Sequence, residues 1–171
     1  AADAIDQHAL GWCGACYLVA ALQMVEDRWN LALGWPRPRA RLDLQALVDF
    51  YQRFYAPRAE DRAWSVCHGG FPDDVLRCMA DGSCPLVAAP PAGAAWFGLV
   101  RAAPEARYRG AAPARARVSH VRELPEERVR ESLVREGPVV LSLAGQLLQD
   151  LDADGCARCP AHALEPNHAV C

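Results

Sequence analysis

The sequence predicts an α+β protein of two lobes, a helical one followed by one richer in strands. Three observations predict it. The apolar residues of the first half recur at helical spacing, the first convincing strand comes only near residue 139, and no alternating βαβ pattern intervenes. The 171 residues and 52% apolar content are enough for one ordinary domain, or two small lobes sharing a core. The division falls at about residue 85, with 1–85 helical and 86–171 forming the β lobe.

A first helix starts near Cys16, with Leu18, Leu22, Val25 and Trp29 on one face, and Gly34 and Pro36 end it. A second begins at about Asp43, an N-cap, and puts Leu44, Leu47, Val48 and Tyr51 inward. A short helix follows Pro72, a good first-turn residue, with Asp73 and Asp74 beside the positive helix end. Residues 86–117, rich in Ala, Pro, Gly and Arg, read as loop and as an insertion. Pro125 to Glu136 reads as a charged surface helix with Val129 and Leu133 inward and Gly137 as its stop. Val139 to Leu143 then reads as a strand. There is no internal repeat.

Composition narrows the function classes. The net charge of −3 argues against nucleic acid or an anionic membrane as the main partner. No apolar run approaches the ~20 residues of a membrane span, and no signal peptide is visible. All basic side chains are Arg, Lys and Thr are absent, and Ile5 is the only Ile; a GC-rich coding bias accounts for this more simply than charge chemistry. The eight Cys, at 13, 16, 67, 78, 84, 156, 159 and 171, imply disulfides, metal or thiol chemistry.

Cys13-Gly14-Ala15-Cys16-Tyr17 admits several readings. Preceded by Trp12 and opening a helix, the pair looks like a thioredoxin-type redox site, yet the stretch before it, Asp3 to His8, is polar and unlike the buried strand that fold needs. The pentapeptide also fits C-G-[SA]-C-[WY], the local signature of papain-like peptidases. A thiol seated at a helix N-terminus opposite an imidazolium is stabilised as the nucleophilic thiolate. The two cysteines could equally be small buried residues or an ordinary disulfide.

Further segments resemble the papain-like cysteine peptidase family in its own order. Gln7 stands where that family has its oxyanion-hole Gln. Leu44 to Asp49 resembles its second helix. Cys67-His68-Gly69-Gly70-Phe71-Pro72 resembles its C-x-G-G segment, and Gly137-Pro138-Val139 with Asn167-His168-Ala169-Val170 resembles its G-P-[VI] strand and catalytic His strand. Cys16 and His168 are 152 positions apart, close to the family's spacing. The resemblance implies a papain-like two-lobed fold with a helical left lobe and a β-barrel-like right lobe. It makes Cys16 the nucleophile, His168 the base and Gln7 the oxyanion donor. It makes Gly69 and Gly70 the main-chain wall of the cleft and pairs Cys13 with Cys67. The product is an acyl-enzyme thioester that water hydrolyses.

Five residues separate Gln7 from Cys13, beginning with His8. This resembles the insertion of the cathepsin X-like branch, in which such a His holds the substrate's C-terminal carboxylate, so carboxypeptidase activity is expected. Glu26-Asp27-Arg28-Trp29-Asn30 also resembles that branch. Ala9-Leu10 replaces its Ile-Pro, and Tyr17 replaces the usual Trp. An ordinary endopeptidase and an inactive relative serving as a binding protein are the other readings within the resemblance.

The resemblance further implies a chain truncated at both ends with an incomplete right lobe. Only three residues follow His168, so the family's imidazole-orienting Asn is missing. Such a fragment is expected to fold poorly and to be weakly active or inactive. Phe50 stands where the family's second bridge begins, leaving Cys78 and Cys84 without evident partners. Cys156, Cys159, His162 and His168 could be read as a zinc site, but the spacing to His162 is short for one, and a Cys156–Cys159 loop bridge or free thiols fit better. His68, His120 and His162 read as surface residues. The expected partner is a peptide or protein substrate, with no cofactor, no metal, no nucleic acid and no membrane insertion. Lysosomal, endosomal or secreted localisation follows from the resemblance and the cysteine usage.

Overall fold

A computed structural model describes residues 13–35, 39–55, 64–89, 108, 114, 116–143 and 168–170. The described elements are α1 (Cys16–Ala32), α2 (Leu44–Tyr55), a 3₁₀ turn (Val66–His68), α3 (Pro72–Asp81), α4 (Glu126–Glu136), β1 (Leu141–Leu143) and β2 (His168–Val170). The protein is thus mixed and mostly helical, which agrees with the α+β expectation at its coarse level. Among the described residues no helix is long and apolar enough to cross a membrane.

Helix α1 is the hub. It packs on α2, α3 and β2. Leu18, Leu22 and Val25 are buried along its expected face, with Trp29 packed at the margin. Val48 and Tyr51 from α2, Val75 and Met79 from α3 and Val66 complete the core, each large apolar side chain contributing roughly 1.5–3 kcal/mol. At its C-terminal end the Gly34 N–H bonds to Leu31 O and the Trp35 N–H to Asn30 O. With Gly34 at φ +70°, this is the reciprocal C-cap pattern that a left-handed residue permits. Trp35 is also left-handed, at φ +55°, and the Arg39 guanidinium lies 4.7 Å above its ring.

Buried polar residues tie α1 to the segment that follows it. Asn30 Nδ2 donates to Glu26 O and Ala40 O, and Ala40 N–H donates back to Asn30 Oδ1 at 2.8 Å. Leu42 N–H donates to Glu26 Oε2 at 2.8 Å, and Arg41 Nε stands 2.9 Å from Oε1. Leu42 in turn bridges Ala88, flanked by Asp43 N–H to Val87 O and Ala89 N–H to Arg41 O. Helix α2 then starts as expected, with the Asp43 carboxylate accepting from Ala46 N–H at 3.1 Å.

Three expectations are corrected. The part of 86–117 that is described is not free loop. Val87–Ala89 pairs with Arg41–Asp43, Ala114 N–H bonds to Leu86 O, and Tyr108 packs on Phe50 while its hydroxyl donates to Asp49. In α4 the inward stripe runs through Val129 and Ser132, so Leu133 is 46% exposed instead of buried. The strand expected from Val139 is confined to Leu141–Leu143. Pro138 has no N–H to donate and its carbonyl is taken by Arg28 Nε at 2.8 Å, so the chain there is held by α1 rather than by a strand partner. β1 and β2 are antiparallel, with Leu141 opposite Val170, Ser142 opposite Ala169 and Leu143 opposite His168.

Glu26 carries a testable consequence. Burial raises its carboxyl above the usual range, outweighing the Leu42 bond and the Arg41 charge. The folded chain therefore binds a proton more tightly than the unfolded one. That contribution to stability is present below the reference value of 4.5 and is lost as pH rises through the folded value. Glu26→Gln is expected to flatten the fall in thermal stability from about that pH to neutrality, measured by melting across the range. A steeper fall in the variant would contradict it.

Candidate active site

The site is built where α1 begins. Ala15 is its N-cap residue and supplies no capping side chain, and no acidic residue sits in the first turn. Cys16 is thus the first helical residue, at the positive end of an uncapped helix. It is half-buried, and among the described cysteines it alone has a free thiol.

Cys13 is bonded to Cys67, 54 positions later, with Cα atoms 4.3 Å apart. Closing a loop of that length contributes about 4 kcal/mol by the chain-entropy account. Beside the bridge the Gly14 N–H donates to Cys67 O at 3.0 Å. A Cβ on Gly14 would lie 2.8 Å from that same oxygen, so only glycine allows the approach. The disulfide expected from the family resemblance is therefore present.

The 3₁₀ turn carrying Cys67 is held from several directions. Ser65 Oγ accepts from Cys67 N–H, and the Ser65 N–H donates to His68 Nδ1. Val66 N–H donates to Gln52 Oε1 of α2 at 2.8 Å. Trp64 packs on Tyr55 and Tyr51 of the same helix. The Tyr17 hydroxyl donates to Val66 O at 3.1 Å. Gly69 then adopts φ +93°, a conformation suited to glycine, and brings Gly70 against the Tyr17 ring. Gly70 and the following Phe71 are exposed, so the main chain here is open to a partner while its base is fixed.

Of the residues singled out in the sequence, Cys13, Cys16, Cys67, Gly69 and Gly70 are gathered in this region. Gln7 and His8 lie outside the described residues, as do Cys156, Cys159, His162 and Cys171. His168 is described as the first residue of β2 and as the register partner of Leu143. His68 and His120 are exposed, as expected of surface residues.

Sequence reasoning missed three features. Cys78 and Cys84, expected to be without partners, are bonded to each other across the end of α3. The signal was Gly82, which takes the left-handed C-cap position and turns the chain back toward Cys78. Gln52, which anchors Val66, carried no pattern that would distinguish it from an ordinary polar helix residue, and Glu26 and Asn30 stood out only through the resemblance of Glu26–Asn30, with no sign that they lock the far end of α1.

A groove of about 980 Å³ opens at that far end, between the second half of α1, the start of α3, residues 116–124 and α4. Met24, Trp29, Leu76 and Val139 supply apolar lining, and Arg77 pairs with Asp73 and Asp74 at its rim. Neither Cys16, Gly69 nor Gly70 lines it, so the groove is not the cleft that the thiol would serve. Among the described residues no cluster of three His, Cys, Asp or Glu side chains gathers that could hold a metal ion. No known protein-family model matches the chain, and no curated protein sequence matches it.

The close approach of Gly14 to Cys67 predicts a cost for any side chain there. Gly14→Ala is expected to lower the unfolding free energy by about 1–3 kcal/mol, the usual range for forcing an extra methyl into a packed position, read by urea denaturation. An unchanged midpoint would show that the approach has slack.

Proposed function

We propose that this chain belongs to a cysteine-type peptidase of the papain-like kind, with Cys16 as nucleophile and His168 as its base. The observation that carries the reading is the free thiol at the first residue of α1, beside a Gly69–Gly70 main chain strapped to that helix by Cys13–Cys67. A helix N-terminus favours the thiolate, and an exposed glycine main chain lets an extended peptide lie close to it.

The pairing of Cys16 with His168 is supported by what α1 touches: β2, which begins at His168, packs on the helix that begins at Cys16, and β1 holds His168 in register with Leu143.

In this mechanism His168 takes the Cys16 proton, and the thiolate attacks the scissile carbonyl. The Gln7 side chain and the Cys16 N–H stabilise the oxyanion. The thioester then yields to water. His8, on the resemblance to cathepsin X-like enzymes, holds the carboxylate of the departing C-terminal residue, which makes the activity a carboxypeptidase. Disulfides at Cys13–Cys67 and Cys78–Cys84 suit an oxidising compartment, and lysosomal, endosomal or secreted localisation is the reading they support.

The bonding pattern speaks against a thioredoxin-like dithiol. Cys13 is joined to Cys67 and not to Cys16, so the C-x-x-C pair offers one thiol where redox cycling needs two.

Two measurements test the proposal. Cys16→Ala is expected to abolish peptidase activity, with a loss of at least about a thousandfold expected for a missing covalent nucleophile; activity that survives the change refutes the mechanism. Peptides with a free C-terminus are expected to be cleaved faster than their C-terminally amidated forms. Equal rates would leave an endopeptidase and remove the role assigned to His8.

A further inference from the structure

Tyr17 follows the free thiol by one residue and is completely buried. Its hydroxyl donates to Val66 O at 3.1 Å, joining positions 49 residues apart. Its ring lies against Gly70 so closely that a Cβ there would be 2.7 Å from Cε2 and 2.9 Å from Cζ. On another side the ring meets Tyr51 edge-on, with centroids 5.8 Å apart. One side chain therefore touches both ends of the turn that carries Cys67 and Gly69.

Among the described residues, the other restraints on that turn stop short of Gly70. The disulfide holds Cys67, Gly14 holds the Cys67 carbonyl, and Gln52 holds the Val66 N–H. Beyond them comes Gly69, whose missing side chain leaves its backbone the freest in the segment. The Tyr17 ring is what the Gly70 main chain rests on. Burial above all, with Tyr51 next, pushes the phenol far up from its ordinary value, so the hydroxyl keeps its proton and remains a donor.

We propose that Tyr17 is a positioning residue: it sets the height of the Gly69–Gly70 main chain relative to the Cys16 thiol, and so governs how an extended peptide seats beside the nucleophile without touching that peptide. The inference rests on the peptidase reading of Cys16. It adds that the residue next to the nucleophile acts through the opposite wall of the cleft. A small thiol reagent needs only Cys16, whereas a peptide-bearing reagent also needs the wall at the correct height.

The test compares two alkylations of Cys16 in the full chain, one by iodoacetamide and one by a peptidyl chloromethyl ketone. The wild type is expected to react faster with the peptidyl reagent. Tyr17→Phe, which deletes only the hydroxyl, is expected to leave the iodoacetamide rate unchanged and to lower the peptidyl rate about tenfold, the scale of one hydrogen bond. Tyr51→Leu, which removes the ring that Tyr17 meets edge-on, is expected to do the same, so the test stands even if Tyr17→Phe does not fold. A peptidyl rate unchanged in both variants overturns the positioning role and leaves the peptidase reading intact. A parallel loss with both reagents overturns it too, by making Tyr17 a general support of the fold. A wild type with no preference for the peptidyl reagent overturns the peptidase reading, and the positioning role with it.

Discussion

The described site depends on one clasp, the Cys13–Cys67 disulfide together with the Gly14 N–H bond to Cys67 O. These two bonds join the start of α1 to a turn 54 residues later. Without them, among the described residues, the helix end that carries Cys16 and the glycine pair beside it would be held together by Tyr17 and the packed core. The covalent bond removes chain entropy from the unfolded state, and the hydrogen bond fixes the angle at which the two segments meet. Glycine at position 14 is the condition for the hydrogen bond, because a side chain would strike the carbonyl that its N–H must reach.

The far end of α1 is secured by a different kind of interaction. There Glu26, Arg28 and Asn30 reach the backbone of Leu42, Pro138 and Ala40. Burying a carboxylate and an amide is costly unless their hydrogen bonds are made inside. Here those bonds are made, to main-chain groups that would otherwise be unpaired. The helix is thus locked at one end by a covalent bridge and at the other by buried polar contacts. Core packing along its length transmits the restraint from one end to the other, which is what a helix must do if its first residue is to keep a fixed place.

The sequence was most informative where a single local pattern decides the outcome. The apolar spacing of Leu18, Leu22 and Val25 gave α1, Asp43 gave the start of α2, and Pro72 gave the start of α3. The Cys13–Cys67 pair came from the family resemblance, since spacing alone leaves the connectivity of eight cysteines open. Outcomes decided by tertiary contacts were not legible. Leu133 has the right chemistry for a core position, but the angle at which α4 lies turns Ser132 inward instead. Val87–Ala89 looks like a loop because its pairing is fixed by partners more than forty residues earlier, at Arg41–Asp43. The Cys78–Cys84 bridge was obscured because the resemblance drew attention to a missing family bridge, while the turn at Gly82 offered a local one.

The C-G-A-C motif shows why spacing and bonding must be weighed separately. As a spacing it serves a dithiol and a peptidase equally well, since both place a cysteine at a helix N-terminus. The chemistry of the two differs in what the other cysteine must do. A dithiol site needs Cys13 free to exchange with Cys16, whereas a nucleophilic site needs Cys13 committed elsewhere, so that Cys16 remains a lone thiol beside a rigid wall. Cys13 is committed to Cys67, and that same bond ties the turn before Gly69 and Gly70 to the start of α1, where Cys16 has a free thiol. On the proposed reading, the bond that withdraws one cysteine from redox chemistry also builds the surface along which a peptide approaches the other.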